Sequence, residues 1–295
     1  MNEIQLIGTI FAALLGLAFG SFLNVVLIRF PEDESIVTPR SHCRNCEHTL
    51  TWWENLPLIS FFLLRGRCRS CHAGIPLRYP ITEVVIGLLW ACCWRRFSAP
   101  LLAANSATES GVHLVLHTLT AIAGNCLLCW MLVALATLDA EYFWLPNLLT
   151  YPGIALGFVF TVEQAWSNSP AFVPENLLHA AGHCLLAILA AGGLILLIRL
   201  AYWIVRREEG MGLGDAKLMA MLGAWLGIRG SMESFIVAML AATAAAFVWL
   251  LVLAVRGKTS EWAKMPLPFG TFLSIAALAE VFYPQWILSR LQLGF

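Results

Sequence analysis

The sequence predicts an all-α, polytopic membrane protein with about eight transmembrane helices and a small cytoplasmic zinc-binding loop domain. Three observations lead there. Of the 295 residues, 59% are hydrophobic and 12% charged, with a mean hydropathy of +0.76; a soluble domain is about half apolar and about a quarter charged. The apolar residues fall into blocks, most of them long enough to cross a bilayer at about 20 residues each. The polar residues collect in one sizeable loop, residues 29–79, which holds four of the nine cysteines. That segregation excludes a soluble enzyme with an enlarged core. A formal net charge of zero says nothing about partners, since the charges are unevenly spread along the chain.

The first apolar block, Ile4 to Ile28, is longer than a signal-peptide core and follows no basic residue. It reads as an uncleaved anchor. Later blocks fall near 80–94, 112–138, 147–166, 178–205, 216–228, 231–255 and 266–283. Two of them, 80–94 and 216–228, are short and are expected to be tilted or re-entrant. The expected division is therefore an anchor (1–28), a cytoplasmic four-cysteine domain (29–79) and a transmembrane domain (80–295).

Basic residues set the orientation. The 29–79 loop carries Arg29, Arg40, Arg44, Arg65, Arg67, Arg69 and Arg78. If it is cytoplasmic, alternation places Arg199, Arg206, Arg207, Lys217, Arg256, Lys258 and Lys264 inside as well. Fourteen basic residues then lie inside against four outside (Arg95, Arg96, Arg229 and Arg290), as the positive-inside rule requires. Both termini face outward in this arrangement.

Cys43-Arg-Asn-Cys46 and Cys68-Arg-Ser-Cys71 are two CxxC turns separated by 21 residues. Each turn aims two thiolates at one point, and two such turns complete a tetrahedral all-thiolate zinc site. In a cytosolic loop the reducing pool disfavours disulfides, which leaves metal as the reading. Four ligands fill the tetrahedron, so the zinc is expected to be structural. A loop this small needs such a staple. His42, His48 and His72 flank the turns and are expected at the surface or behind the ligands. The other cysteines, Cys92, Cys93, Cys126, Cys129 and Cys184, lie in apolar blocks and read as small packing residues. The i, i+4 pairs His113/His117 and His179/His183 have metal-binding spacing but read as helix-end polar groups.

Ionisable groups within spans are costly and mark function by default. Glu83, Asp139, Asp215 and Glu280 qualify. Asp139 ends an apolar run and is followed by Leu145-Pro146-Asn147; Asp215 closes Gly210-Met-Gly-Leu-Gly-Asp215, after Arg206-Arg207. Both are thus expected at the cytoplasmic ends of spans. The alternating glycines match neither a dinucleotide fingerprint nor a P-loop, and no strand precedes them. Lys217, at the start of the next helix, could pair with a carboxylate. Two carboxyls held face to face share a proton, so that one can activate water while the other polarises a carbonyl. Spacing alone does not separate that pair from two aspartates that each cap a helix.

A resemblance favours the pair. GMGLGD at 210–215 with Lys217-Leu218 resembles the GxGD signature of the type IV prepilin peptidases, the leader peptidases of type IV pili and type II secretion. Gly20-Ser-Phe-Leu-Asn24-Val-Val with Arg29 and Pro31 resembles that family's first-span motif. The four-cysteine loop with Trp52-Trp53-Glu54-Asn55 and Arg65-Gly66-Arg67-Cys68 is similar to its cytoplasmic domain, and Tyr79-Pro80 with Glu83 to the start of its second span. Asp139 with Leu145-Pro146 resembles the segment carrying the first catalytic aspartate. A departure is Asn147, where many members have Asp.

The resemblance implies that Asp139 and Asp215 are catalytic and that the chain cleaves leaders of prepilins or pseudopilins after a glycine at the cytoplasmic face of a bacterial inner membrane. It also implies S-adenosylmethionine-dependent methylation of the new N-terminus, since the four-cysteine loop accompanies bifunctional members. The expected partners are these substrates and membrane lipid, with no nucleic acid. Glu32-Asp33-Glu34 and Glu208-Glu209 are acidic groups that could meet a basic leader, or solvated acidic faces. Two rivals are a transporter with a zinc-stabilised loop, which would place its charges near the bilayer midplane, and a methyltransferase without proteolysis.

Overall fold

A computed structural model describes residues 3–103, 109–167, 174–207, 211–255 and 267–284. Among these residues the regular elements are helices: α1 (Glu3–Arg29), α2 (Ile59–Leu63), α3 (Arg78–Phe97), α4 (Ala99–Ala103), α5 (Glu109–Tyr142), α6 (Asn147–Ser167), α7 (Pro174–Arg206), α8 (Leu213–Val255) and α9 (Phe269–Phe282). Single-residue bridges, His42 with Thr49 and Arg67 with Gly74, are the β pairing in the polar loop. Each expected apolar block coincides with a helix. By length and composition, four helices are long and apolar enough to cross a membrane, namely those over Glu3–Glu32, Val112–Tyr142, Asn176–Arg206 and Leu213–Val255. Two of the expected blocks, 216–228 and 231–255, both fall in α8. Its backbone leaves helical geometry at Gly227, with φ 71° and ψ −175°, a conformation that glycine adopts without steric cost.

The chain forms two compact units, Met1–Trp130 and Met131–Phe295. In the first, α1 packs along α3. Lipid removes the hydrophobic drive between helices, so close backbone approach must supply the contact. It does so where Gly20 faces Glu83: a Cβ there would sit 2.7 Å from the Glu83 Cα. Indole N–H groups find backbone acceptors, Trp130 Nε1 at Phe19 O (3.0 Å) and Trp90 Nε1 at Cys126 O (3.0 Å). The opposite face of α1 presents Ile4, Ile7, Phe11 and Leu14, each exposed by 60% or more, as a lipid-facing surface requires.

In the second unit α8 is the centre, packed by α6, α7 and α9. Here too buried donors are satisfied from main-chain carbonyls. Trp225 Nε1 donates to Gly153 O (2.8 Å) and Thr161 Oγ1 to Ala224 O (2.6 Å). The fully buried side chains Leu218, Met219, Met221 and Leu222 line one stretch of α8 just after Asp215.

Candidate active site and metal centre

The metal centre is built by two near-identical turns. In the first, Cys43 N–H donates to His48 O and Glu47 N–H to Cys43 O; in the second, Cys68 N–H donates to Ala73 O and His72 N–H to Cys68 O. The residue after each second cysteine turns the chain with positive φ, 56° at Glu47 and 57° at His72. All four Sγ atoms lie within 4.8 Å of one another. Cys43 and Cys71 are 3.8 Å apart, Cys46 and Cys68 3.9 Å. Zinc–sulfur bonds of about 2.3 Å in a tetrahedron place sulfurs about 3.8 Å apart, so the thiols fit this ion. Asn45 Nδ2 donates to Cys71 Sγ at 3.5 Å. That contact, with the Ala73 backbone, draws the Cys71 thiol down to about 6 and readies it as a thiolate.

None of the flanking histidines joins the cluster. His42 Nδ1 contacts Arg40 O, and His48 Nε2 lies 3.6 Å from Glu54. Among the described residues the four cysteines are the one metal-competent group of three or more. Cys93 and Cys129 do meet, with sulfurs 3.8 Å apart, fully buried in α3 and α5 as packing residues.

Asp139 lies one turn before the end of α5, and Asp215 is the third residue of α8. The same unit holds both. Asp139 Oδ2 accepts the Thr271 N–H at 2.7 Å and faces the Thr271 hydroxyl at 3.1 Å. That N–H belongs to the first turn of α9, where backbone donors lack intrahelical partners. The hydroxyl has one proton for two neighbours, Asp139 Oδ2 and Ala136 O at 3.0 Å. It can therefore donate to only one of these two acceptors at a time.

Two glycines bring the groups this close. A Cβ at Gly270 would lie 3.0 Å from Asp139 Cγ and Oδ2, and 3.0 Å from Leu145 Cδ1. A Cβ at Gly214 would meet Leu145 Cβ at 3.1 Å. The buried Leu145 thus fills the space between the glycine preceding Asp215 and the glycine lying against Asp139. Gly270 and Thr271 were not singled out from sequence. The run Pro266-Leu-Pro268-Phe269-Gly270, a break just before an apolar block, is the signal that marks them.

Other expected contacts differ. Among the described residues Lys217 Nζ pairs with no carboxylate; it donates to Asn147 Oδ1 at 2.6 Å and sits over the Tyr151 ring. An amide at position 147 supplies the acceptor there. Glu32 and Glu34 are engaged by Arg44, at 2.6 and 3.4 Å. Glu208, Glu209 and Gly210 lie outside the described residues. Glu83 Oε2 accepts the Leu58 N–H at 2.8 Å, tying α3 to the start of α2.

The helices, their lipid-facing sides and the two sites define a polytopic helical membrane protein with a four-cysteine module and a pair of neighbouring carboxyls. Residues 14–97 match the bacterial peptidase A24 N-terminal domain, and residues 126–250 match the type IV leader peptidase family. The chain belongs to the type IV leader peptidase family. It is 36% identical over 249 residues to a prepilin leader peptidase/N-methyltransferase of Myxococcus xanthus, covering 84% of this chain and 64% of that protein's length. Proteins of the same description from Pseudomonas putida and Aeromonas hydrophila are 32% and 33% identical. These cover 96% and 94% of this chain, and 94% and 92% of their own lengths. No solved structure matches the chain.

Proposed function

We propose that this protein is a prepilin leader peptidase of the bacterial inner membrane, which cleaves prepilin or pseudopilin leaders at the cytoplasmic face and then methylates the new N-terminus. The observation that supports the peptidase reading is that Leu145 lies against both Gly214, which precedes Asp215, and Gly270, which lies against Asp139, with Thr271 holding the Asp139 carboxyl. In this reading the two carboxyls share one proton. The ionised member takes a proton from water as it attacks the scissile carbonyl, and the protonated member donates to the carbonyl oxygen. Thr271 fixes the Asp139 carboxyl, and the close backbone at Gly214 and Gly270 excludes bulk from the gap.

In this reading residues 1–28 anchor, 29–79 form the zinc module, and 80–295 carry the peptidase, in eight spans. Cys43, Cys46, Cys68 and Cys71 hold zinc as a structural ion. S-adenosylmethionine, when bound, supplies an electrophilic methyl group to a neutral amine. The names of the relatives support this second activity.

The test is cleavage of a purified prepilin, read by mass spectrometry. Asp139→Asn or Asp215→Asn alone should lower cleavage by at least about 1,000-fold, and the double variant should be little worse, because residues acting as a unit fail together. Methylation of a substrate supplied already cleaved should survive in all three. Substantial cleavage by either single variant would sink the assignment and move suspicion to Glu83 and Glu280.

A further inference from the structure

Between the two cysteine turns the chain carries an apolar run that metal binding does not require. From Leu56 to Leu64 the sequence is Leu-Pro-Leu-Ile-Ser-Phe-Phe-Leu-Leu, with Ser60 its single polar side chain. Ile59–Leu63 of this run form α2. Phe61 and Leu64 turn inward and line a cavity of about 390 Å³, whose wall also draws on α1, the cysteine turns and the start of α3. Ile59, Phe62 and Leu63 turn outward and are 54%, 72% and 68% exposed. A helix apolar on every side calls for an apolar surrounding on every side.

Both ends of the run fold back sharply. Leu58 stands at φ 58°, ψ −45°, and Ile59 N–H donates across it to Pro57 O at 2.6 Å, a tight turn that is strained for leucine. After α2, Arg65 and Gly66 take φ of 51° and 67°, and Gly66 N–H returns to Phe61 O at 2.8 Å. The run is a short dip, entered and left by turns.

Its depth follows from Glu83. That carboxyl holds the Leu58 N–H at 2.8 Å, and the Glu83 backbone lies against Gly20 of α1, where a Cβ would stand 2.7 Å from Glu83 Cα. Gly20 is nine residues before Arg29, the last residue of α1, or about 14 Å inward at 1.5 Å per residue. The α1 helix is long and apolar enough to cross a bilayer. The dip therefore starts alongside the apolar stretch of a spanning helix, not beyond its end. Interfacial helices sink an apolar face by about 5–10 Å, which suits this level.

Charge marks the same place. Between Glu54 and Glu83 the sequence has no Asp or Glu, whereas Arg65, Arg67, Arg69 and Arg78 are basic. The first three of these arginines are exposed. Along α3 the exposed apolar surface continues through Ile81 (58%) and Leu88 (61%), as contact with lipid requires.

We propose that α2 is an interfacial anchor, which lays Ile59, Phe62 and Leu63 into the acyl chains of an anionic leaflet while Arg65 and Arg67 meet its headgroup phosphates. The zinc module then rests on the bilayer, and the dip holds it there. A protein partner arriving from the aqueous phase would not reach the level that Glu83 sets. This anchor stands whether or not the protein is a peptidase.

The experiment uses the full-length, zinc-loaded protein in nanodiscs of phosphatidylcholine, with or without phosphatidylglycerol. A benzophenone amino acid replaces Phe62 or, as a control, the exposed Glu47 at the tip of the first cysteine turn, with zinc content as the check on the fold. Irradiation should give lipid adducts at position 62 at least about fivefold above position 47. Their yield should be at least about twofold higher in the charged discs. In the wild type, which needs no substitution, a bilayer-soluble diazirine should label peptide 56–64. Equal lipid yields at 62 and 47, adducts at 62 to a second copy or to added prepilin in place of lipid, or an unlabelled 56–64 peptide would each overturn the anchor. Equal yields in the two kinds of disc would overturn the preference for an anionic leaflet.

Discussion

A methyl group added at position 270 would press on Cγ and Oδ2 of Asp139 from 3.0 Å. Gly270→Ala is therefore expected to push the carboxyl aside and lower cleavage by about 100-fold, the scale of a 1 Å misplacement, while zinc content stays unchanged. Unimpaired cleavage would mean that Asp139 needs no fixed position. Thr271 should divide by chemistry: Thr271→Ser keeps the hydroxyl between Asp139 and Ala136, whereas Thr271→Val loses it and should be slower by roughly 10-fold, near the 1.4 kcal/mol of one net hydrogen bond. Equal rates would remove the hydroxyl from the mechanism. Away from the bilayer, the Thr51 hydroxyl, and then the Thr51 N–H, hold the Glu54 carboxyl below its ordinary value of 4.5. A group depressed in the folded state contributes stability that is complete above the unfolded value and lost as pH falls through the folded one. The temperature at which the module surrenders zinc to a chromophoric chelator should thus fall on acidification below 4.5 more steeply in the wild type than in Glu54→Gln. Parallel curves would show that Glu54 adds nothing to the fold of the loop.

At the scale of elements, the zinc module is the part most legible from sequence. Two CxxC turns specify their ligands locally, because each pair of thiols is placed by four consecutive residues. Cys46→Ser should cost at least about 100-fold in zinc affinity, beyond the effect of losing a group that merely supports a ligand. It should also make the 41–76 segment sensitive to protease. Retained stoichiometry would point to other ligands. The helices were legible for a different reason: a span must be apolar over its whole length, so composition alone finds it. The carboxyl that Thr271 grips was not, because that bond joins residues 132 positions apart. Nor was the cavity, whose wall draws on α1, the loop and α3 together. Nor was the partner of Lys217, which lies 70 residues away at Asn147.

For the molecule as a whole, fourteen basic residues against four predict an orientation that reporter fusions can test. Fusions after Arg44 and after Arg207 should both report the cytoplasm. Opposite reports would mean that a span between them has been miscounted, with 80–94 the first to revisit. The break at Gly227 bears on a matter of supply. From Leu213 to Leu226 the helix runs 14 residues, or about 21 Å at 1.5 Å per residue. The hydrocarbon layer is about 30 Å thick. A rod that short cannot reach from one aqueous surface to the other, so Asp215 at its head and the break at Gly227 cannot both stand at aqueous surfaces of an unthinned bilayer. Hydrolysis consumes a water molecule at each turnover, and oil delivers almost none. In the proposed peptidase, the carboxyl at the head of this short rod draws its reactant water from the aqueous surface nearer to it.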